Sequence, residues 1–212
     1  MATSKNKKGP WLTGTKSGTV YYRLNDIQVA RGIGINNKKA TLPQQTVRQA
    51  TRVTSCFLTD VMAYVNIGFE ALGKKTRTNQ QNQAFSYNRK NAVSGIYPNV
   101  KIDFNKVLLS IGTKPLPQHI SFAVSNEGIV VKWNTDVNLK DAFWDDQVIM
   151  IAYFPVLRTS VFLGGGTMRY KGTEIVPLVG IKKGNVMHVY FSIIANNRKT
   201  ISNSTYLGEM TW

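Results

Sequence analysis

The sequence predicts an α+β chain dominated by β-structure, with a β-hairpin and a pair of helices in its N-terminal half and an antiparallel β-sandwich in its C-terminal half. Two observations support this prediction. Apolar residues recur at intervals of three and four between residues 41 and 93, which is typical of helices, and they form short alternating segments after residue 120. Seven such segments separated by turn residues indicate a sandwich of the immunoglobulin or fibronectin type III kind.

The chain is expected to begin with a basic, flexible arm over residues 1–16. Few apolar residues other than Trp11 and Leu12 lie in this arm, so it should need a partner in order to fold. Residues 19–35 then alternate in polarity around the turn residues Asn25-Asp26. This alternation predicts a β-hairpin.

The strongest helical pattern follows the hairpin. Thr41 is expected to be the N-cap, with Pro43 in the first turn and Gln44 completing a capping box. The apolar stripe behind this cap predicts about thirty helical residues that end near Gly73.

A second, more polar helix is predicted from an N-cap at Thr78, with Gln81 at the third helical position, to about Val93. Beyond it, the alternation of apolar and polar residues predicts a strand over residues 100–111.

The C-terminal half is expected to fold as the sandwich, with Trp133 in its core. Two prolines within Gly112–Pro117 favour an extended linker before it. We therefore predict an arm over residues 1–16, a basic domain over residues 17–112 and a β-sandwich domain over residues 113–212. The seven predicted strands are Ile120–Val124, Ile129–Trp133, Gln147–Phe154, Ser160–Leu163, Glu174–Leu178, Met187–Ala195 and Thr205–Leu207.

The charge balance is the most unusual property of the chain. Its 212 residues include 27 Lys and Arg but 11 Asp and Glu, a net charge of +16. Of these, 17 basic and 4 acidic residues precede Gly112. Such asymmetry predicts an anionic partner for the N-terminal half. The single Cys56 excludes an internal disulfide framework, and with two distant histidines, His119 and His188, it excludes most zinc sites.

The sequence also restricts the compartment. No apolar run follows the basic N-terminus, so no secretory signal peptide is predicted. The longest apolar stretch, residues 148–156, is too short for a membrane span and is interrupted by Pro155. A cytoplasmic or virion location is expected, without membrane association.

No catalytic or metal-binding residues and no cofactor are predicted. The loop acids lack the spacing of a calcium loop and are interpreted as solvated side chains. Neither histidine has a nucleophile at motif spacing, and the glycines at 32–34 and 164–166 lack the other residues of phosphate-binding loops, so they are interpreted as turns. The loop acids are Asp136, Asp141, Asp145 and Asp146.

The basic residues are the candidate binding site, because long cationic side chains with few competing acids suit phosphate or carboxylate contacts. DNA or RNA, and an acidic protein surface or a second copy of the chain, are the alternative partners; plain solubility is the third interpretation. Trp11 is interpreted as a partner anchor, with stacking on single-stranded bases as the alternative. The candidate residues are Lys5, Lys7, Lys8, Lys16, Lys38, Lys39, Arg48 and Arg52.

Several segments together resemble an uncharacterised family from Bacteroidetes and their phages. The resemblance extends over almost the whole chain and implies a basic helical N-terminal half followed by a sandwich. It implies no enzyme activity and no catalytic residues. The segments that carry it include residues 18–31, Leu42–Arg52, Ala84–Ala92, Ile96–Asn99, Lys106–Ser110 and Ser202–Gly208.

The sequence therefore leads to two hypotheses about function. The first is a non-enzymatic structural or assembly protein, of a virion or another supramolecular complex, whose basic half contacts nucleic acid or neighbouring subunits. The alternative is a soluble binding module that captures a protein or a glycan with its sandwich loops, near residues 136–146 or 164–166.

Overall fold

The structure is a computed structural model that describes residues 3–4, 12–35, 38–136 and 138–212. The chain divides into two compact units, Met1–Ala40 and Thr41–Trp212. In the described ranges, no helix combines the length and the hydropathy that a bilayer crossing requires.

The first unit is a four-stranded antiparallel sheet. The predicted hairpin is confirmed, and Asn25 and Asp26 form its two-residue turn with positive φ angles of 46° and 62°. Residues 12–16, part of the predicted arm, form a strand: residues 14–16 pair with residues 19–21, and the Gln28 side chain bonds the backbone N–H and carbonyl of Leu12. The strands are β1 (Thr3–Ser4), β2 (Leu12–Lys16), β3 (Thr19–Leu24) and β4 (Ile27–Gly32).

The second unit begins with helices α1 (Leu42–Asp60), α2 (Met62–Gly68) and α3 (Glu70–Thr76). The predicted capping box of Thr41 and Gln44 is present. The predicted stretch of about thirty helical residues is present, but the chain leaves helical geometry at Val61 and Phe69, where φ is −113° and −109°. Both side chains are buried in the core, so tertiary packing overrides helical propensity at these two positions.

The next helix, α4 (Gln80–Asn91), begins one residue later than predicted. Its N-cap is Asn79, whose side chain accepts a hydrogen bond from Gln81 N. Thr78 is not the cap because its N–H donates to Gly73 O and closes the end of α3.

The predicted strand over residues 100–111 is mostly absent. The structure has a short strand β6 (Lys101–Ile102), paired with β5 (Val93–Ser94), and then a 3-10 helix over Phe104–Lys106. Side chains replace the ladder beyond this point: Leu108 N donates to Asn88 Oδ1 at 2.9 Å, and Leu109 N donates to Ser204 Oγ at 2.8 Å.

All seven predicted strands of the C-terminal half are present. They form a four-stranded sheet in the order β10-β9-β12-β13 and a three-stranded sheet in the order β11-β8-β7, both antiparallel. Residues of the two sheets share one hydrophobic core, and Trp133 is buried in it as predicted. The strands are β7 (Ser121–Val124), β8 (Gly128–Lys132), β9 (Gln147–Phe154), β10 (Thr159–Leu163), β11 (Thr173–Pro177), β12 (Val186–Ile194) and β13 (Thr205–Thr211).

Strand β9 connects two cores. Ile149, Ile151 and Tyr153 pack with the helices, whereas Val148 and Met150 pack against the three-stranded sheet. Successive side chains of a strand point to opposite faces of its sheet, so β9 is buried on both faces. The four-stranded sheet therefore forms the middle layer, with the helices on one face and the three-stranded sheet on the other. The division of the structure falls after Ala40, and the segment 112–117 lies inside the second unit.

Candidate functional site: a cationic groove along the first helix

A groove of about 940 Å³ lies along α1 in the second unit. Apolar and aromatic side chains cover much of its surface, and we call these residues the groove floor. Four cationic side chains stand around them, from α1, β6 and the turn after β9. The floor consists of Val53, Phe57, Val100, Ile102, Phe104 and Tyr153, and the cations are Arg48, Arg52, Lys101 and Arg158.

The helix places its groove residues by simple periodicity. The polar residues that α1 contributes to the groove are spaced one, three or four positions apart, which keeps them on one side of the helix. They are Gln45, Arg48, Gln49, Arg52 and Cys56. Arg48 and Arg52, two of the basic residues predicted from the sequence to bind a partner, are four positions apart on this side of the helix, and both line the groove.

The opposite wall is fixed to α1 by two hydrogen bonds. Gln49 Nε2 donates to Pro98 O at 2.6 Å, and Tyr97 N donates to Thr46 Oγ1 at 3.1 Å. These contacts hold the segment before β6 against the first half of α1. They therefore place the exposed Lys101 across the groove from the two arginines.

One acidic residue, Asp60, lines the groove, and it is already paired. Its carboxylate accepts hydrogen bonds from Arg158 Nη2 at 3.1 Å and Nε at 3.2 Å, and from the Tyr153 hydroxyl at 3.2 Å. The hydrogen bond to Asp60 raises the pKa of Arg158. Burial, and then the negative charge of Asp60, raise the pKa of Tyr153 to about 12.

The remaining three cations have no such compensation. Within the described part of the chain, Arg48, Arg52 and Lys101 form no ion pair. All three are exposed. The groove consequently presents uncompensated positive charge beside an apolar floor, an arrangement that attracts a ligand carrying both negative charge and apolar groups.

In the ranges that the structure describes, no other predicted site residue lines the groove. Lys5, Lys7, Lys8 and the predicted anchor Trp11 lie outside the described residues. The remaining three lysines, Lys16, Lys38 and Lys39, are exposed in the first unit.

Two cations of the groove were missed from the sequence. Lys101 lies in the predicted strand 100–111. The alternation of that strand predicts that the Lys101 side chain is exposed, but it does not predict that the residue lies beside α1. Arg158 comes from the turn after β9 and meets Asp60 only through the tertiary fold. No local sequence pattern links either residue to its neighbours in the groove, which lie far away along the chain, so these two could not have been found.

A second feature lies in the loop before β9, which we call the Trp144 loop (residues 138–146). The interpretation of its acids as solvated is wrong for Asp146, which forms a buried ion pair with Lys114. Lys114 Nζ is 2.5 Å from Asp146 Oδ1 and donates a further hydrogen bond to Asp141 O at 3.0 Å. Phe143 N donates to Asp146 Oδ2 at 3.0 Å.

This ion pair holds a loop whose aromatic residues face solvent. Phe143 is 56% exposed and Trp144 is 61% exposed. The Phe143 ring centroid lies 4.6 Å from Lys114 Nζ, and Trp144 packs edge-on against Tyr170 with ring centroids 5.9 Å apart. Among the described residues, no group of three or more His, Cys, Asp or Glu is placed to hold a metal ion.

Neither histidine lines the groove. His188 stacks on Phe104 with ring centroids 3.7 Å apart, and its Nδ1 lies 2.8 Å from the Tyr206 hydroxyl. Burial lowers the pKa of His188, and the charge of Glu209 partly opposes this effect. His119 is exposed and adopts a positive φ of 52°.

These observations define the class of the protein: an α+β chain with antiparallel sheets and a cationic groove beside its long helix. Residues 3–208 match the model described as "Family of unknown function (DUF6266)", and the chain belongs to this family. Searches of the curated proteins and of the solved structures gave no match.

Proposed function

We propose that this protein is a non-enzymatic assembly protein that binds an anionic, partly apolar segment of a neighbouring subunit in the cationic groove. The observation that carries the proposal is the set of three exposed cations without ion pairs around an apolar floor. A virion or another cytoplasmic complex is the proposed setting.

The groove floor favours a protein segment over nucleic acid as the partner. Phosphate contacts need cations but no apolar surface, whereas protein interfaces combine an apolar centre with a polar rim. Arginine and tyrosine are also enriched among the residues that dominate interface energy, and Arg48, Arg52 and Tyr97 line this groove. Nucleic acid remains the alternative partner of the basic N-terminal half.

The test compares two double charge reversals in the full-length chain. Arg48→Glu/Arg52→Glu changes the groove, and Lys75→Glu/Lys90→Glu is the control, with the same change in net charge at exposed positions of α3 and α4. Sedimentation velocity over a concentration series measures self-association. Fluorescence anisotropy with labelled single-stranded and duplex DNA and RNA, from about 50 to 200 mM salt, measures nucleic-acid binding.

We expect the groove variant to lose self-association at least tenfold more than the control does. Equal losses in the two variants would mean that net charge, rather than the groove, drives association. A wild-type chain that stays monomeric would refute the proposed partner, and one that also binds neither DNA nor RNA at low salt would refute the nucleic-acid alternative as well.

The binding-module hypothesis is the second candidate, and the exposed pair Phe143 and Trp144 favours it. Large apolar side chains that face solvent on a loop held by a buried ion pair are typical of interaction sites. In this case the fluorescence of Trp144 should respond to an added oligosaccharide from a panel, or to an added protein. Arg48→Glu should leave the response unchanged, and Trp144→Phe should remove it.

A further inference from the structure

We propose that the occupant of the cationic groove is the Trp144 loop of a second copy of the chain, so that copies join head to tail. This inference rests on the assembly function proposed above and identifies the partner of that site. The groove and the loop are complementary in charge and in chemistry, and each is present once on every copy.

The loop supplies the groups that the groove lacks. Asp141 is exposed and Asp145 is half-buried, whereas Lys140 is the one cation within residues 138–146. Between the acids, Phe143 and Trp144 expose more than half of their surface. An aromatic pair flanked by carboxylates matches an apolar floor surrounded by uncompensated cations.

The chemistry of the two surfaces also suits a tight contact. A tryptophan ring beside arginine side chains gains cation–π attraction as well as area burial. Carboxylates next to it can accept paired hydrogen bonds from the guanidinium groups of Arg48 and Arg52. A buried aromatic anchor with charged groups around it is the usual arrangement of an interface hot spot.

The fold prevents the loop from occupying the groove of its own chain. The Trp144 loop ends where β9 begins at Gln147, whereas the groove receives Tyr153 from the far end of the same strand and Pro155 and Arg158 from the turn after it. Eight residues of strand span roughly 25 Å at about 3.3 Å per residue. The partner must therefore be another copy, related to the first by a heterologous contact that extends into a ring or an open chain.

The loop is held in position for this contact. Asp146 accepts hydrogen bonds from Lys114 Nζ and from Phe143 N, and Asp145 Oδ2 accepts one from Asn196 Nδ2 at 3.2 Å. These bonds fix both ends of the Phe143-Trp144 dipeptide. A fixed loop loses little conformational entropy on binding, which favours association.

A mixing experiment tests the proposal. The groove variant is Arg48→Glu/Arg52→Glu, and the loop variant is Asp141→Asn/Trp144→Ser, which removes one charge and one aromatic ring. Asparagine is chosen at 141 because Asp141 has a positive φ of 65°, which asparagine tolerates. The control for the loop variant is Glu127→Gln/Val179→Ser, at exposed positions of two other turns.

Sedimentation velocity of each variant alone should show loss of self-association by at least tenfold, with the control unchanged. A mixture of the groove variant and the loop variant should form a 1:1 dimer that does not grow, because one intact groove and one intact loop remain between two different chains. Circular dichroism and urea unfolding establish that both variants are folded.

The alternative results separate this inference from the function on which it rests. If wild-type association depends on the groove but not on the loop, the assembly function stands and the Trp144 loop is not the occupant. If the groove binds DNA or RNA and copies do not associate, the loop is again excluded and nucleic acid is the partner. If neither association nor nucleic-acid binding occurs, both proposals fail.

Discussion

Replacing Asp146 with asparagine should destabilise the fold by about 3–5 kcal/mol, the cost of removing one partner of a buried ion pair. The side chains of Lys114 and Asp146 are 4% and 1% exposed. Asparagine keeps nearly the same shape but has no charge, so it would leave the ammonium group of Lys114 buried without a counter-ion.

The surroundings of the pair determine this magnitude. Two unit charges at 2.5 Å attract by roughly 7 kcal/mol at an effective dielectric constant of about 20, and desolvation of the two ions offsets most of this gain. Arg169, also buried, adds a second cation: burial lowers its pKa, and the charges of Asp146 and Asp136 oppose that shift. Removing the Asp146 charge therefore disfavours the buried Arg169 as well as Lys114.

Equilibrium urea unfolding at pH 7, followed by tryptophan fluorescence, measures the cost. The cycle contains Asp146→Asn, Lys114→Met and the double variant Lys114→Met/Asp146→Asn. We expect each single variant to lose about 3–5 kcal/mol and the double variant to lose less than the sum of the two, because an uncharged pair leaves no unpaired buried charge. Single costs below about 1 kcal/mol, or costs that add within about 0.5 kcal/mol, would refute the reasoning.

Two further predictions concern the core. Gly68→Ala should destabilise the fold by about 2 kcal/mol or more in urea unfolding, because the new Cβ would overlap the backbone carbonyl of Leu109. Gly34→Ala is the control: no atom lies near its Cβ position, so the unfolding midpoint should change little. Burial holds the pKa of His188 below its ordinary value of 6.5, so the unfolded chain binds the proton more readily. Stability should accordingly fall as the pH drops from about 6.5 through the lower folded pKa, and His188→Gln should flatten this slope in urea unfolding between pH 7 and pH 5; an unchanged slope would contradict it.

Much of the secondary structure could be predicted because its causes are local. The seven strands of the sandwich follow from alternation and turn residues, and the start of α1 follows from the Thr41 capping box. The breaks at Val61 and Phe69 could not be predicted, because they depend on contacts with residues far along the chain. The missing strand after Ile102 has the same origin, since Asn88 and Ser204 satisfy its backbone from other elements.

The candidate site was predictable to a smaller extent. A four-residue spacing places Arg48 and Arg52 on one helix face, and charge counting identifies this half of the chain as basic. The partners of Asp60 and Asp146 were not predictable, because Arg158 and Lys114 meet them only in the folded chain. The sequence therefore does not show whether an acidic residue is solvated or forms a buried ion pair, because this depends on its burial in the folded chain.

The Trp144 loop and the cationic groove lie at opposite ends of strand β9, so a substitution can change one without changing the other. The Asp146 ion pair precedes the strand and the Asp60 ion pair lies beside its far end, at Tyr153. Between them, Val148–Phe154 is buried on both faces and therefore rigid. Changes at sites this far apart without shared partners add in free energy. Under conditions in which circular dichroism shows that Asp146→Asn is folded, this variant should therefore act in the mixing experiment as a loop defect, complemented by the groove variant and not by another loop variant.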